Sequence, residues 1–348
     1  MKEVILQKNM FHLGFAAKVR WRMKYDRNPF LTTIQDKYSV RKYAQTKGIK
    51  TAKLIYSTDN AYTIPFDTLP KNCFIKANHG CEWNIIRLNS EYYFFKNGVN
   101  FEDYRSNDFD EKLIEKDKIS KEECIVLCED WLNQKYLEEE WAYLNIKPKI
   151  LVEEVQYPHE GKELFDYRCY TFHGKVKAIS IGSLNYRKTN KNIFLDANWN
   201  IINLSRYKEA LPNPLPKKPE NFDEMISIAE TLGSEIDFAR VDLFNTSKGI
   251  ILSEMTVYPE GGAPFSPTAC SHFNRWLGSN WKLSPFKTTQ AFFFNITYLT
   301  SLRLLGKYKN WVVNPIKVEI LSEIELNHSS HTNLAKNDVS RGIGELNY

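Results

Sequence analysis

A chain of 348 residues with 43% hydrophobic and 26% charged side chains has room for two domains or one two-lobed domain with a sizeable core, and its composition is not that of a disordered or fibrous protein. Its 47 Lys and Arg against 42 Asp and Glu leave a net charge of +5, which argues weakly for anionic partners such as nucleotides or acidic glycans and not for nucleic acid. Six scattered cysteines form no CxxC pair, so they read as reduced and buried; no signal-type opening and no uncharged run of spanning length occurs, so the chain reads as cytoplasmic.

Residues 1–36 read as helical and basic, with Lys18, Arg20, Arg22, Lys24 and Arg27 interleaved with Phe15, Val19, Trp21, Met23 and Tyr25 until Asn28-Pro29 breaks the pattern. This is either a solvated helix with its aromatic side packed on the body or a surface for acidic polymer or lipid. A helix opens at Asp36-Lys37, turns Tyr43 and Ala44 inward and stops at Gly48. Next, an apolar strand ends in Lys76 and runs into Asn78-His79-Gly80; a positive point charge beside exposed backbone N–H groups is what a phosphate-covering loop requires. Residues 101–120 are acidic and irregular. A helix is expected from Ser120 to Glu140, opened by the capping box Ser120…Glu123, before a buried strand that ends in Glu153-Glu154-Val155.

A strand from Asp166 turns at His173-Gly174, and alternation puts Arg168 on the face of Asp166, either to pair with it or to meet a phosphate or the substrate. Arg187 is a looser candidate for a phosphate contact. The proline-rich run 211–219 reads as an extended connector and residues 221–233 as a helix. Two strands, Phe238–Phe244 and Ile250–Met255, flank Asn-Thr-Ser-Lys-Gly turn chemistry. Arg240 and Asp242 share a face, joined by Glu254 and Thr256 if no bulge intervenes. Opposed carboxylates repel by roughly 0.2–1 kcal/mol when solvated and more when dry. Mg²⁺ between them reverses the sign; the alternative is an edge hairpin with solvated acids. Gly261-Gly262 either lets backbone N–H groups approach a reacting centre or makes a tight turn. The aromatic run 291–306 is either packed on the body or an interfacial helix.

Taken together, Asp36-Lys37, Lys76-Ala-Asn78-His79-Gly80, Arg240-Val-Asp242 and Glu254-Met-Thr256-Val-Tyr-Pro-Glu-Gly261-Gly262 resemble the ATP-grasp superfamily over about residues 36–285. The Asn-His-Gly wording, with Thr256 where most members have Asn, resembles its TupA-like branch, named for teichuronopeptide synthesis; Cys81-Glu82 departs from the usual small lid residues. The resemblance implies an α+β ATP-grasp fold, two α+β lobes with ATP between them. Residues 37–150 form the smaller lobe and 151–285 the larger, catalytic lobe, flanked by a short helical N-terminal extension (1–36) and a C-terminal extension (286–348). It places Lys37 on the α-phosphate, Lys76 and Gly80 in the phosphate lid, Glu153, Glu154 and Val155 against adenine, Asp166 on ribose and Arg168 near phosphate. Asp242, Glu254 and Thr256 hold Mg²⁺, expected as two ions, and Arg240, Lys76, Gly261 and Gly262 serve the reacting centre.

The activity so implied is ATP-dependent ligation of a carboxylate to an amine through an acyl phosphate, joining an amino acid to a uronic acid of a cell-surface polysaccharide or its precursor. A phosphotransferase of the same fold and a non-catalytic nucleotide-binding subunit are the alternatives. The partners implied are ATP, an amino acid or other amine and a carboxylate-bearing glycan, with peripheral contact at the inner membrane face as a further expectation.

Overall fold

The computed structural model describes residues 13–94, 117–159, 164–182, 193–203, 217–263, 270–304 and 319–321. The expected connector at 211–216, Arg187 and the tail beyond 321 lie outside the described residues. Three helices lead the chain: α1 (Phe15–Tyr25), α2 (Pro29–Gln35) and α3 (Ser39–Thr46). Asn28-Pro29 is a helix start as well as a break, because the Asn28 side chain accepts from the Phe30 N–H and Pro29 fills the first helical position, where no donor is needed.

The first sheet holds β1 (Leu54–Thr58), β2 (Cys73–Ala77), β3 (Asn84–Leu88), β4 (Glu91–Tyr93), β5 (Lys118–Ile119) and β6 (Ile150–Glu154). Its order is β1-β6-β2-β3-β4-β5, with every neighbouring pair antiparallel. Pairing of Phe74 with Glu153 and of Lys76 with Leu151 puts these four on one face. Cys73, Ile75, Ala77, Ile150 and Val152 form the other, apolar face, covered by α4 (Lys121–Asn133) through Cys124, Cys128 and Trp131. The Ser120/Glu123 capping box is present, but the helix stops at Asn133 and not at Glu140. No basic residue lies in its last turn, and continuing it would set Glu138, Glu139 and Glu140 at the negative end of the helix dipole. The chain instead turns and makes a short α5 (Trp141–Leu144) before β6.

The second sheet is built from β7 (Asp166–Phe172), β8 (Lys175–Gly182), β9 (Ile193–Leu195), β10 (Ile201–Asn203), β11 (Phe238–Thr246), β12 (Gly249–Thr256) and β13 (Glu319–Leu321). Its order is β12-β11-β7-β8-β9-β10-β13. The β7–β8 turn is the expected His173-Gly174, both at positive φ (48° and 72°), as a two-residue hairpin turn requires. Helix α6 (Phe222–Leu232) buries Phe222, Met225, Ala229 and Leu232 against the face that carries Ala239, Val241 and Leu243.

Helix α1 is not the solvated helix that its four basic residues suggest. Phe15 and Val19 enter the core of the second sheet, with Phe15 against Phe238 at 4.8 Å between ring centroids. Lys18 donates to the carbonyls of Gly278 and Trp281 at the end of α7 (Cys270–Asn280), where a cation meets the negative end of a helix. Arg22 is fully buried: it donates to the Phe238 carbonyl at 2.8 Å, pairs with Asp237 and lies over the Trp281 ring at 4.2 Å. Arg20 donates to the Gly262 carbonyl at 2.5 Å and to Asn295 on α8 (Pro285–Leu304) at 3.0 Å. Long basic side chains can be buried here because each charged head finds a carbonyl or carboxylate partner. Helix α8 packs on α1 through Ala291 and turns Phe286 and Phe293 outward; no helix among the described residues is long and apolar enough to cross a membrane.

Replacing Arg22 with Ala removes one partner of a buried ion pair and opens a cavity under Trp281, so Arg22→Ala is expected to cost about 3–5 kcal/mol. Urea denaturation of the variant checks this, and a change under about 1 kcal/mol contradicts the packing described.

Candidate active site

The β11–β12 hairpin owes its site to one irregularity. The turn has two residues, with Thr246 paired to Gly249, and a ladder unbroken from there would set Asp242 opposite Ser253 and send Glu254 to the core face. A bulge at Ser253, where the register shifts between Asp242 and Leu243, restores the opposition: Asp242 pairs with Glu254 and Arg240 with Thr256. It also lets Leu252 and Met255 both reach the core. The expectation that a bulge-free ladder places Glu254 beside Asp242 is therefore corrected, since the bulge itself does so.

On this face Arg240 holds Asp242 with Nε at 2.8 Å from Oδ1 and Nη2 at 2.6 Å from Oδ2. The same Nη2 lies 3.4 Å from Glu254 Oε1 and 3.2 Å from Thr256 Oγ1, so one nitrogen spans both carboxylates and the hydroxyl. Asp242 is 1% exposed, and burial raises its carboxyl above the ordinary range while the Arg240 fork pulls the other way. Burial also pushes on Glu254, but Lys37, Arg240, Lys76 and Arg168 more than reverse it and hold that carboxyl low. The next strand continues the face, because Arg168 pairs in register with Asp242 and Asp166 with Phe244. Arg168 Nε donates to Asp166 Oδ2 at 2.8 Å, the pairing alternative, and Gly182 beside it gives the guanidinium room. Asp166 Oδ1 is buried with no hydrogen-bond partner among the described residues.

The opposing cations are Lys37, just ahead of α3, and Lys76 on β2 of the first sheet. Lys37 Nζ lies 3.4 Å from Glu254 and donates to the Gly80 carbonyl at 2.7 Å, so it ties the lid loop to the carboxylate pair. Lys76 Nζ is 2.6 Å from Glu153 Oε2, and Arg41 of α3 holds the other oxygen at 2.8 Å. The Glu153 carboxylate thus aims Lys76, and Arg41 is a contributor that sequence reasoning left without a role. Asn78, fully buried, fixes the loop base: its amide donates to Asp36 at 2.7 Å and to the Lys147 carbonyl at 3.0 Å, and its oxygen accepts from the Lys149 N–H. Gly80 packs so closely on Trp83 that an added Cβ would lie 2.4 Å from the ring, which explains a glycine there.

Other expected residues fall elsewhere. The Glu154 side chain pairs with Lys248 and lines a basic groove of about 1160 Å³ with Arg41, Lys42, Lys50 and Lys53; neither lid lysine nor the carboxylate pair opens into that groove. Val155 is buried just past the end of β6. Gly261 and Gly262 sit at positive φ (55° and 69°), but the Gly261 N–H is committed to the Tyr258 carbonyl and Gly262 abuts Arg20 and Ala16 of α1. They make a turn with close helix approach. Sequence reasoning missed Tyr143, whose hydroxyl accepts from Gln35 at 2.8 Å, and Glu140, 4% exposed beside Gly261. Each lies where a helix was expected to continue or a core was assumed, so periodicity gave no signal.

The residues fit a Mg²⁺-nucleotide. Asp242 and Glu254 offer hard oxygen donors within the span of one nitrogen, and phosphate and water complete such a shell in Mg²⁺ sites that take few carboxylates. The partnerless Asp166 Oδ1 suits a ribose hydroxyl. Lys37 and Lys76 bring positive charge to bear on Glu254 from beside the Asp242–Glu254 pair.

Two antiparallel sheets that face each other across lysines and an acidic hairpin define a two-lobed nucleotide-site architecture. The chain belongs to the TupA-like ATP-grasp family, whose model matches residues 17–282, a span that takes in α1 as well as the motifs. Among solved structures it is similar to a D-alanine–D-alanine ligase from Helicobacter pylori (16% identity, 72% of this chain and 61% of that one, TM-score 0.40). It is also similar to one from Bacillus anthracis complexed with ATP (15%, 80% and 69%, 0.35) and to the ATP-grasp ligase PsnB complexed with minimal precursor, Mg and ADP (11%, 73% and 61%, 0.33). The chain thus spans less than two thirds of the H. pylori ligase and of PsnB. No curated protein matches it.

Two outcomes follow from this geometry. Lys76→Ala removes a charge-assisted contact worth about 1.5–3 kcal/mol, so calorimetry should read ATP binding weakened by about 10- to 100-fold, whereas unchanged affinity removes Lys76 from the phosphate site. Glu140, raised to about 7 by burial and by Glu139, binds a proton in the folded protein that the unfolded chain has already released between pH 5 and 7. Native stability therefore falls as pH rises through that window, and Glu140→Gln should gain on the parent by about 3 kcal/mol between pH 5 and 8. Parallel denaturation curves at the two pH values check the sign.

Proposed function

We propose that this protein is an ATP-dependent carboxylate–amine ligase that forms an amide through an acyl phosphate. The observation that carries the reading is the meeting of Lys37, Lys76 and Arg240 around the Asp242–Glu254 pair. A carboxylate is a poor electrophile until one oxygen becomes a leaving group, and a phosphoryl group from ATP makes it one. In this reading Lys37 and Lys76 hold the triphosphate, Glu153 and Arg41 keep Lys76 extended toward it, and Asp166 receives the ribose. Asp242 and Glu254, with Thr256 as a weak neutral ligand, hold Mg²⁺, which when bound neutralises charge on the transferring phosphoryl group. Arg240, rigid in its fork with Asp242, stands ready for the oxyanion that develops when the acyl phosphate is attacked. The Gly80 loop, tethered by Lys37, covers the phosphates and limits water. The hexuronic acid as acyl donor and the amino acid as amine rest on membership of the TupA-like branch.

With an ¹⁸O-labelled carboxyl donor, ATP, Mg²⁺ and amino acids, one label is expected in the released phosphate alongside the amide product. Amide with unlabelled phosphate excludes the acyl phosphate. A stable phosphorylated product in place of amide favours the phosphotransferase, and absence of any product the nucleotide-binding subunit.

A further inference from the structure

The hairpin register sets an order along the site. Asp166 and Phe244 lie at the end toward the turn, then Asp242 and Glu254, then Arg240 and Thr256, and five residues past Thr256 the chain reaches Gly261. Beyond the carboxylate pair, on the side away from the ribose position, stands Glu140. It is 4% exposed, and among the described residues no cation lies within ion-pair distance of its carboxylate, whose charged neighbour is another acid, Glu139. A Cβ built at Gly261 would lie 3.5 Å from Glu140 Oε1, in van der Waals contact, so this turn packs directly against the carboxylate; its positive φ of 55° favours the glycine. The titratable groups that face it are Glu139, Tyr136, Tyr143 and Tyr258; none supplies positive charge. The rings of Tyr136 and Tyr143 pack at 4.8 Å between centroids, tilted by 51°, beside Glu140, and Tyr143 feels both Glu140 and Glu254. Gln35 clamps the Tyr143 hydroxyl with its amide and the Val257 N–H with its carbonyl, which locks this ring pair to the catalytic hairpin. A buried carboxylate without a cation is costly unless a ligand brings the charge.

We propose that Glu140 is the seat of the amine substrate: its carboxylate receives a primary ammonium between Tyr136, Tyr143 and Gly261 and takes up the proton that the ammonium must lose before attack. The inference rests on the ligase reading and names its second substrate as a primary amine that arrives protonated, as an amino acid does at neutral pH. In the step, the ammonium gives one proton to Glu140 and its nitrogen forms the N–C bond. The C–O bond to phosphate then breaks, orthophosphate leaves with the electron pair, and the second nitrogen-bound proton goes with it; Glu140 returns its proton to solvent. The aromatic rings suit a cation that has shed water.

Hydroxylamine separates this role from the ligase reading, because it traps acyl phosphates as hydroxamates while being largely uncharged at pH 7.5. Parent, Glu140→Gln and Glu140→Asp proteins are assayed with ATP, Mg²⁺ and a panel of glucuronate, galacturonate and glutamate donors. The amine is either hydroxylamine or an equimolar mixture of the twenty amino acids. In Glu140→Gln the ratio of amino-acid amide to hydroxamate is expected to fall by about 100-fold, the scale of a lost general base, with a raised KM for the amino acid and partial recovery in Glu140→Asp. An unchanged ratio, with hydroxamate still formed, overturns the role of Glu140 and leaves the ligase reading standing. No hydroxamate and no amide from the parent with any donor overturns the ligase reading and this inference with it.

Discussion

The mutual repulsion of Asp242 and Glu254 is the constraint on which the rest of the site depends. Two carboxylates opposed on a sheet face, one of them 1% exposed, are tolerable only inside a field of positive charge. That field is drawn from separate elements: Arg240 from the same hairpin, Arg168 from the neighbouring strand, Lys37 from the start of α3, and Lys76 from the opposing sheet. With Arg41 on Glu153, five cations meet four acids, counting Asp166. The surplus is small, so the site is rigid and nearly neutral by itself, yet still receptive to a polyanion accompanied by its own metal. The ion pairs also tie separate elements together, since Lys37 links the Gly80 carbonyl to Glu254.

A second dependence runs through α1. Arg22 grips the start of β11 at Asp237 and Phe238, and Arg20 grips the Gly262 carbonyl beyond the end of β12, so one helix holds both strands of the hairpin at its open end, away from the turn. Lys18 fastens the same helix to the carbonyl end of α7. The family match from residue 17 onward agrees with a helix that packs into the core of the second sheet, whatever its place in the chain order. A basic helix need not be a binding surface when each cation has a buried acceptor to meet.

Much of the architecture is legible in local chemistry. The capping box of α4, the His173-Gly174 turn, the apolar face of α6 and the two strands around Ser247-Lys248 follow from propensity, period and turn residues, which act over a few positions. The separated motifs with Lys37, Lys76, Asp242 and Glu254 point to one family because their order and residue types match a shared chemistry. Their convergence on one cleft is a tertiary fact.

The sequence by itself determined which strands alternate, where helices open and which acids and bases are on offer. Tertiary structure alone decided three matters, each because it depends on partners far along the chain. The Ser253 bulge chose which face Glu254 joins, by trading one residue of register so that Leu252 and Met255 could both stay in the core. Desolvation of α1 turned three apparent surface cations into structural ones, because the carbonyls and carboxylate that receive them come from residues 237–281. The break after Asn133 carried Glu140 out of a helix and into the site, where burial without a cation gives a common surface residue its chemical character.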